Sequence, residues 1–327
     1  MEYRSLGKSG LRVSVLGLGA NAFGGRADKE TSIRVLHHAV DVGVTFIDTA
    51  NVYTNTRSEE IIGEAFAGRR QDIILATKVG MKRGDGPNDR GSSRQHIMAE
   101  VEESLRRLQT DYIDLYQIHA FDPYTPLEET LRALDDLVRS GKVRYIGASN
   151  YSSWQLLKSL DISDRHGFSP YVSVQPGYSL VDRGIERELV PFCVEYGIGV
   201  IPYFPLAGGI LTGKYAGGAV PTGSLLDKNP NFAQRMDAAR MAVGEKVVAL
   251  ARDLGTTPTA LSLAWLMSRP AVSTVIAGAT REAQIDENSR AVDLRLTNEV
   301  LEQLDDWTEE FIYARPFGSA PRPRANA

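Results

Sequence analysis

Short apolar runs alternate with longer segments of helical period along most of the chain. The runs that predict strands lie at residues 15–19, 45–50, 72–79, 112–119, 143–149, 171–176, 198–204 and 273–279. Strands that alternate with helical patterns are typical of repeated βα units, which place their strands in a parallel sheet. Eight such units predict an α/β protein folded as a (β/α)8 TIM barrel, whose interior is filled by side chains.

The segment ahead of the first barrel strand has the pattern of a separate β-hairpin. Residues 3–7 and 11–15 flank a turn at residues 8–10, and that turn ends in glycine. We expect this hairpin to cap the bottom of the barrel.

Several helix starts carry a capping residue. Ser93 is a predicted N-cap, because its hydroxyl can accept a hydrogen bond from the first turn. Thr125 and Thr257 are predicted caps as well, with Pro126 and Pro258 at the first helical position, where the missing N–H costs nothing. We expect all three helices to form part of the barrel wall.

One connection is too long for this regular alternation of strands and helices. Residues 206–236, after the seventh strand, form a loop of about thirty residues rich in Gly and Pro, whereas most connections have only a few. Such length is typical of functional loops. No linker divides the chain, so residues 1–327 are predicted to form a single barrel domain.

Composition excludes several classes of protein. The 327 residues carry 37 Lys and Arg against 41 Asp and Glu without a basic run, which argues against nucleic acid or a lipid surface as partner. No apolar run reaches the roughly 18 residues of a membrane helix. The single cysteine, Cys193, excludes internal disulfides and multi-cysteine zinc sites, and it is predicted to be a buried thiol in a helix. We expect a cytoplasmic protein without a metal.

Polar side chains at the predicted strand ends are the candidates for chemistry, because barrel active sites form at the C-terminal ends of the strands. Asp48, Tyr53, Lys78 and His119 make sense together as a proton-donating unit. Hydride delivered to a carbonyl carbon leaves an alkoxide that needs a proton, and the Lys78 ammonium is expected to lower the pKa of the Tyr53 phenol. Asp48 would hold Lys78, and His119 would orient the carbonyl oxygen.

Each of the four residues also has a purely structural interpretation. Asp48 could cap a turn, Tyr53 could be a loop aromatic, Lys78 a surface amine and His119 a hydrogen-bonded imidazole. A barrel lyase or isomerase that uses Lys78 as a Schiff base is another candidate. A metal-dependent version is disfavoured, because the strand ends lack convergent carboxylates.

The chain resembles the aldo-keto reductase family from about residue 2 to about residue 310. The segments that carry this resemblance, in the family's order and spacing, are FIDTANVY, ATKVG, DYIDLYQIHAFD, GKVRYIGASNY and VIAGATREAQIDEN. The chain is most similar to the branch that includes bacterial reductases and potassium-channel β-subunits. The resemblance implies an oxidoreductase that passes a hydride between NADP(H) and a small aldehyde, ketone or matching alcohol.

The resemblance also assigns roles to individual residues. It implies Tyr53 as proton donor, with Asp48, Lys78 and His119 completing a catalytic tetrad. It places the nicotinamide against four further residues at the strand ends. These are Ser149, Asn150 and Gln175, which would hydrogen-bond the nicotinamide amide, and Tyr203, which would stack on the ring.

The rest of the dinucleotide is implied to lie along two segments near the end of the chain. The pyrophosphate would meet Leu206, Ala207, Gly208 and Lys214. The adenosine end would meet Gly278, Ala279, Thr280, Arg281, Gln284, Glu287 and Asn288. Arg281 is the candidate for the 2′-phosphate, because guanidinium binds phosphate through two hydrogen bonds, although a solvated residue at a helix start is the alternative. Many family members have Lys where this chain has Gly278, so NAD(H) use is also open.

The sequence leaves a second function open, a nicotinamide-sensing regulatory subunit that turns over slowly. It also leaves the physiological substrate and the oligomeric state open. The residues considered as walls of the substrate pocket are Asn21, Phe23, Tyr53, Phe121, Tyr151 and Phe317, with core packing as the alternative for each.

Overall fold

The computed structural model describes residues 1–314, apart from the side chains of residues 228, 230, 231 and 235. It begins with an antiparallel hairpin of β1 (Tyr3–Ser5) and β2 (Arg12–Ser14), as predicted. Leu6 and Val13 of this hairpin are fully buried and pack against apolar residues of the barrel interior. The hairpin therefore closes one end of the barrel.

Eight parallel strands in the described part of the chain form the barrel. They are β3 (Leu16–Gly19), β4 (Phe46–Asp48), β5 (Ile74–Val79), β6 (Ile113–Ile118), β7 (Val143–Ser149), β8 (Tyr171–Gln175), β9 (Gly199–Val200) and β10 (Val275–Gly278). Each strand from β3 to β8 pairs with the next along the chain, and β10 pairs with β3. The ring closes between β9 and β10, because Val200 N donates to Ala271 O at 2.8 Å and Ser273 N donates to Val200 O at 3.0 Å. The predicted (β/α)8 barrel is confirmed.

The seventh barrel strand is shorter than predicted. The expected strand at residues 198–204 is only Gly199–Val200, because Pro202 has no N–H to donate and interrupts the ladder. Pairing resumes at Tyr203, whose N–H donates to Pro176 O at 3.0 Å. Tyr203 is thereby still held beside the end of β8.

Helices cover the outside of the barrel. They are α1 (Lys29–Asp41), α2 (Arg57–Ala65), α3 (Arg94–Leu108), α4 (Leu127–Arg139), α5 (Ser153–His166), α6 (Leu189–Tyr196), α7 (Leu225–Lys228), α8 (Ala238–Asp253), α9 (Pro258–Met267), α10 (Glu282–Asp293) and α11 (Asn298–Thr308). The main apolar core lies between these helices and the strands. Cys193 is buried in α6, as predicted. None of the helices within residues 1–314 is both long and apolar enough to cross a bilayer.

Two of the three predicted caps are confirmed and one is wrong. Ser93 accepts from His96 N at 3.3 Å, and Thr257 accepts from Ala260 N at 3.1 Å. Helix α4 begins one residue later than expected, with Pro126 rather than Thr125 at the cap. Pro126 keeps an extended ψ of 127°, and the Thr125 hydroxyl donates instead to Asp122 at 2.6 Å.

The long connection at residues 206–236 is partly helical. It contains 3-10 turns at Ala207–Thr212, Ala216–Gly218 and Pro230–Arg235, together with α7. Within the first turn, Gly208 and Gly209 have φ values of 68° and 104°, which glycine adopts without steric cost. The segment therefore folds back over the end of the barrel as short turns rather than as one irregular loop.

Candidate active site

The predicted tetrad lies at one end of the barrel. Asp48 ends β4, Lys78 lies near the end of β5, and His119 directly follows β6. These strands are parallel, with Asp48 paired with Ala76 and Lys78 with Gln117, so their C-terminal ends lie at the same end of the barrel. A cleft of about 360 Å³ opens over them.

Lys78 is the centre of the hydrogen-bond network beneath this cleft. Its side chain is fully buried, and Nζ donates to Asp48 Oδ2 at 2.6 Å, to Thr49 O at 2.9 Å and to the Tyr53 hydroxyl at 3.2 Å. Burial lowers the pKa of Lys78, but Asp48 and Tyr53 outweigh it, so the pKa of this amine is raised. The side chain is therefore an ammonium at neutral pH, without the lone pair that a Schiff base requires.

Asp48 receives hydrogen bonds from two amide side chains as well. Gln175 Nε2 donates to Asp48 Oδ1 at 2.8 Å, and Gln117 Nε2 donates to the same oxygen at 3.2 Å. Both carboxylate oxygens are thus occupied, one by Lys78 and one by the two glutamines. This fixes the ion pair in a single orientation.

A tight left-handed segment presents Tyr53 to the cleft. Thr54, Asn55 and Thr56 follow it with φ values of 46°, 53° and 74°, a conformation that costs L-residues free energy. The Thr54 hydroxyl donates to Phe23 O at 2.6 Å, which ties this segment to the loop after β3. Strain of this kind persists only where the surrounding structure enforces it, and here it aims the phenol at Lys78.

The pKa of Tyr53 differs from the sequence-based expectation. Burial raises it above its usual value, Asp48 adds to the increase, and the nearby Lys78 ammonium offsets only part of it. The predicted net lowering is therefore wrong for the protein alone, because the sequence could not reveal how far the phenol is desolvated. Tyr53 carries its proton at neutral pH.

His119 faces Tyr53 from the next strand end. Their rings lie edge to face, with centroids 5.8 Å apart. Burial, together with the Lys78 charge, lowers the pKa of His119 to about 3, so the imidazole is neutral at physiological pH. Its Nδ1 is buried and has no hydrogen-bond partner among the described residues.

The four residues expected to meet the nicotinamide line the same cleft. Ser149 Oγ donates to Gln175 O at 2.9 Å, and Asn150 Nδ2 donates to His119 O at 2.9 Å. The Tyr203 hydroxyl donates to Asn150 Oδ1 at 2.8 Å. Asn150 reaches these partners because its φ of 58° turns the chain sharply at the end of β7.

Most residues expected to meet the rest of a dinucleotide also line the cleft, and a few do not. Those that do are Leu206, Gly208, Lys214, Gly278, Ala279, Thr280 and Gln284. Ala207 is buried behind the cleft, Arg281 is the exposed N-cap residue of α10, and Glu287 and Asn288 lie further along that helix. Gly278 of β10 pairs with Gly19 of β3. Because neither residue has a side chain, the edge of the cleft between these two strands is left open.

The expected substrate walls are placed only in part. Asn21 and Tyr53 line the cleft, whereas Phe23 is buried in the apolar core and Phe121 packs edge to face on Tyr151 away from it. Phe317 lies outside the described residues. The cleft is lined by several residues that the sequence did not single out: Gly19, Ala22, Arg26, Phe204, Pro205, Gly209, Thr212, Leu225 and Ile276. Arg26 lies in the loop after β3, and no local pattern marks it.

No cluster of three or more His, Cys, Asp or Glu side chains suited to a metal ion occurs within residues 1–314. Asp48 is the only acidic residue that the described chain contributes to the cleft. Its charge is already matched by Lys78. Two cationic side chains, Arg26 and Lys214, also line the cleft.

Comparison with known proteins agrees with this arrangement. A probable voltage-gated potassium channel subunit beta of Arabidopsis thaliana is 41% identical, over 97% of this chain and 98% of that protein. The uncharacterized oxidoreductase YrpG of Bacillus subtilis (strain 168) is 38% identical, over 99% of this chain and 100% of that protein. The L-glyceraldehyde 3-phosphate reductase of Escherichia coli O157:H7 is 34% identical, over 93% of this chain and 92% of that protein.

The model of the aldo/keto reductase family matches residues 15–309, from the first barrel strand to the end of α11. That span contains the closed barrel, the buried Lys78–Asp48 pair and the whole cleft. On the match and the architecture together, this chain belongs to the aldo/keto reductase family.

Proposed function

We propose that this chain is an NADP(H)-dependent oxidoreductase that reduces a small aldehyde or ketone, or oxidises the matching alcohol, with Tyr53 as proton donor. The observation that carries the proposal is the position of the Lys78 ammonium. Its Nζ donates to Asp48 Oδ2 at 2.6 Å and to the Tyr53 hydroxyl at 3.2 Å. A phenol held in this way is a protonated acid with a cation beside it, ready to stabilise the phenolate that remains after donation.

The residues around the cleft fit a nicotinamide dinucleotide. Ser149, Asn150 and Gln175 present hydroxyl and amide groups at the end nearest the tetrad, where Tyr203 offers an aromatic face. The other end carries the glycines of residues 206–209 and the Lys214 ammonium, and backbone amides with a nearby cation suit a pyrophosphate. The reduced cofactor would supply the hydride.

The protein's own part in the reaction is the transfer of a proton. As the carbonyl carbon accepts hydride, the oxygen becomes an alkoxide, and the Tyr53 hydroxyl gives that oxygen its proton. The charge left on Tyr53 is stabilised by Lys78, which stays protonated because Asp48 holds it. Tyr53 then regains a proton from solvent, and the reverse order oxidises an alcohol.

His119 would orient the substrate rather than donate the proton. With a pKa of about 3 it is neutral at physiological pH, so one ring nitrogen carries a hydrogen that can be donated to the carbonyl oxygen. Its ring lies 5.8 Å from that of Tyr53, centroid to centroid, which allows both side chains to reach one oxygen. A carbonyl held by both groups would have its carbon facing the nicotinamide end of the cleft.

Isotope transfer tests this proposal. The protein is incubated with 4-nitrobenzaldehyde and NADPH that carries deuterium at both C4 positions, and the alcohol is analysed by mass spectrometry. We expect one deuterium per alcohol, bound to the carbon that was the aldehyde carbon. Failure to form labelled alcohol from this aldehyde, and from a panel of other aldehydes, ketones and sugars, would refute the proposal if NADPH binds.

A second candidate function is a regulatory subunit that senses the nicotinamide cofactor and turns over slowly. The similarity to plant proteins named as potassium channel subunits favours it, at 41% and 40% identity. Both functions require cofactor binding, so turnover distinguishes them. Tight NADPH binding, single-turnover chemistry slower than about one per minute and co-purification with a membrane protein would favour the regulatory role.

A further inference from the structure

A buried ionic cluster lies behind the tetrad, where helices α2 and α3 pack on the barrel. Glu59 of α2 and Arg107 of α3 are both buried, and Arg107 Nε donates to Glu59 Oε2 at 2.7 Å. The other oxygen of Glu59 accepts from the Thr77 hydroxyl at 2.6 Å, and Thr77 directly precedes Lys78 in β5. None of these three side chains lines the cleft. The cluster thus reaches the tetrad from outside the cleft, and the proposed reaction does not use it.

Glu100 extends this cluster along α3 to Asn51, which lies in the loop after β4. Asn51 Nδ2 donates to Glu100 Oε2 at 2.7 Å. The same oxygen lies 3.7 Å from Arg107 Nη2 and 3.7 Å from Arg83 Nε, so guanidinium groups of α3 and of the loop before it both attract it. A carboxylate only accepts hydrogen bonds, so the NH2 group of Asn51 must face it. Glu100 therefore fixes the orientation of this amide.

Asn51 belongs to the turn that delivers Tyr53. Tyr53 N donates to Ala50 O at 3.1 Å, which closes a β-turn with Asn51 at its second position. Asn51 N donates to Lys78 O at 3.2 Å, so its backbone is tied to β5 while its side chain is tied to α3. Left-handed residues follow Tyr53, and such strain persists only where neighbouring groups enforce it. The Asn51 turn supplies this support on the other side of Tyr53.

The amide of Asn51 depends on Glu100. It is fully buried, and its Oδ1 accepts no hydrogen bond from any residue within 1–314. Glu100 is thus the sole hydrogen-bond partner of this side chain in the described chain. A buried amide without any partner is unfavourable, so loss of the Glu100 carboxylate should turn the Asn51 side chain toward another group. The turn would then shift, and Tyr53 with it.

We propose that Glu100 is a positioning residue for carbonyl reduction: it holds the Asn51 amide, and the turn that Asn51 belongs to keeps the Tyr53 hydroxyl in place beside Lys78. This rests on the proposed function, because Tyr53 is the proton donor there. Glu100 itself does not line the cleft. It should therefore affect the rate of the reaction and leave the affinity for the cofactor unchanged.

Single-turnover reduction of 4-nitrobenzaldehyde by the full chain at saturating NADPH tests the assignment, with each rate expressed per bound NADPH so that unfolded chains do not count. Glu100→Leu is expected to be slower by about 10-fold or more, because a small displacement of a catalytic group is costly, while the NADPH Kd stays within twofold of wild type. Glu100→Gln keeps an acceptor oxygen for Asn51, so it should be only about threefold slower. The matched control is Glu103→Leu, which removes a carboxylate of α3 that lies 3.7 Å from Arg107 Nη1 without contacting Asn51. Its rate should stay within twofold of wild type.

Asn51→Ala tests the same link from the other side. It removes the amide and leaves every charge of the cluster in place, so it remains a test if Glu100→Leu folds poorly. We expect a similar loss of rate, about 10-fold. The double variant of Glu100→Leu and Asn51→Ala should be no slower than either single variant, since both changes break one connection.

The outcomes separate this assignment from the function on which it rests. If wild type reduces the aldehyde and either Glu100→Leu or Asn51→Ala does so within twofold of its rate, the positioning role is wrong while the proposed function stands. Equal losses in Glu100→Leu and Glu103→Leu would reduce the effect to the charge of α3 and overturn the assignment. Losses that multiply in the double variant, or a weakened NADPH Kd, would overturn it as well. A wild-type chain that binds NADPH and reduces no carbonyl compound would overturn both proposals.

Discussion

Replacing Lys78 by Met should destabilise the protein strongly, although the two side chains have similar volumes. The change removes three hydrogen bonds and leaves Asp48 as a buried carboxylate without its counter-charge. Breaking a buried ion pair in this way costs about 3–5 kcal/mol. Gln175 and Gln117 still donate to Asp48 at 2.8 and 3.2 Å, which places the expected loss near the lower limit, about 3 kcal/mol.

The matched control removes both charges. Asp48→Asn alone leaves a buried ammonium and should cost about as much as Lys78→Met. The double variant leaves no unpaired charge, so its loss should be smaller than the sum of the two single losses by about 2–3 kcal/mol. Urea unfolding, followed by the intrinsic fluorescence of the three tryptophans, of which Trp265 is fully buried, gives the free energies of unfolding. A loss below about 1 kcal/mol in Lys78→Met, or losses that simply add, would refute the reasoning.

Two further predictions concern pH and packing. The rate of carbonyl reduction should be constant between about pH 5 and 8, because His119 has a pKa of about 3 and Tyr53 stays protonated. The rate should fall as pH rises through the pKa of Tyr53. An inflection near pH 6.5 in the measured pH–rate profile, where an ordinary histidine titrates, would contradict this prediction. Gly63→Ala should lower the free energy of unfolding by about 2 kcal/mol, because the added Cβ would lie 2.4 Å from the backbone oxygen of Arg107, where α2 meets α3. Urea unfolding measures this loss, and an unchanged unfolding midpoint would contradict the close packing of α2 on α3.

The barrel was predictable because its strands are buried on both faces. Such strands carry continuous apolar runs whatever their tertiary partners, and all eight were found in the predicted places. The seventh strand differs in length: residues 198–204 were predicted as one strand, but Pro202 breaks the ladder and leaves only Gly199–Val200. The hydrophobic pattern alone does not show where a proline removes a backbone N–H that the strand ladder needs.

The cleft was less predictable than the fold. Asp48, Lys78 and His119 end apolar strands, so their convergence follows from the topology of the barrel. The pKa of Tyr53 does not follow from the topology. The sequence reveals the neighbouring Lys78 ammonium, which lowers this pKa, but not the burial of the phenol, which raises it by more. Arg26 was missed for a similar reason. It lines the cleft from the loop after β3, and no local sequence pattern marks a residue that tertiary packing brings there.

In the proposed reaction Tyr53 gives its proton to the substrate oxygen, and a single-turnover comparison of wild type with Tyr53→Phe tests this step. Enzyme with bound NADPH is mixed with saturating 4-nitrobenzaldehyde, and cofactor oxidation is followed by absorbance, with the NADPH Kd measured for both proteins. We expect a rate at least about 100-fold slower in Tyr53→Phe with an unchanged Kd. A rate within twofold of wild type at the same Kd would show that the proton comes from another group, and Tyr53 would not be the donor.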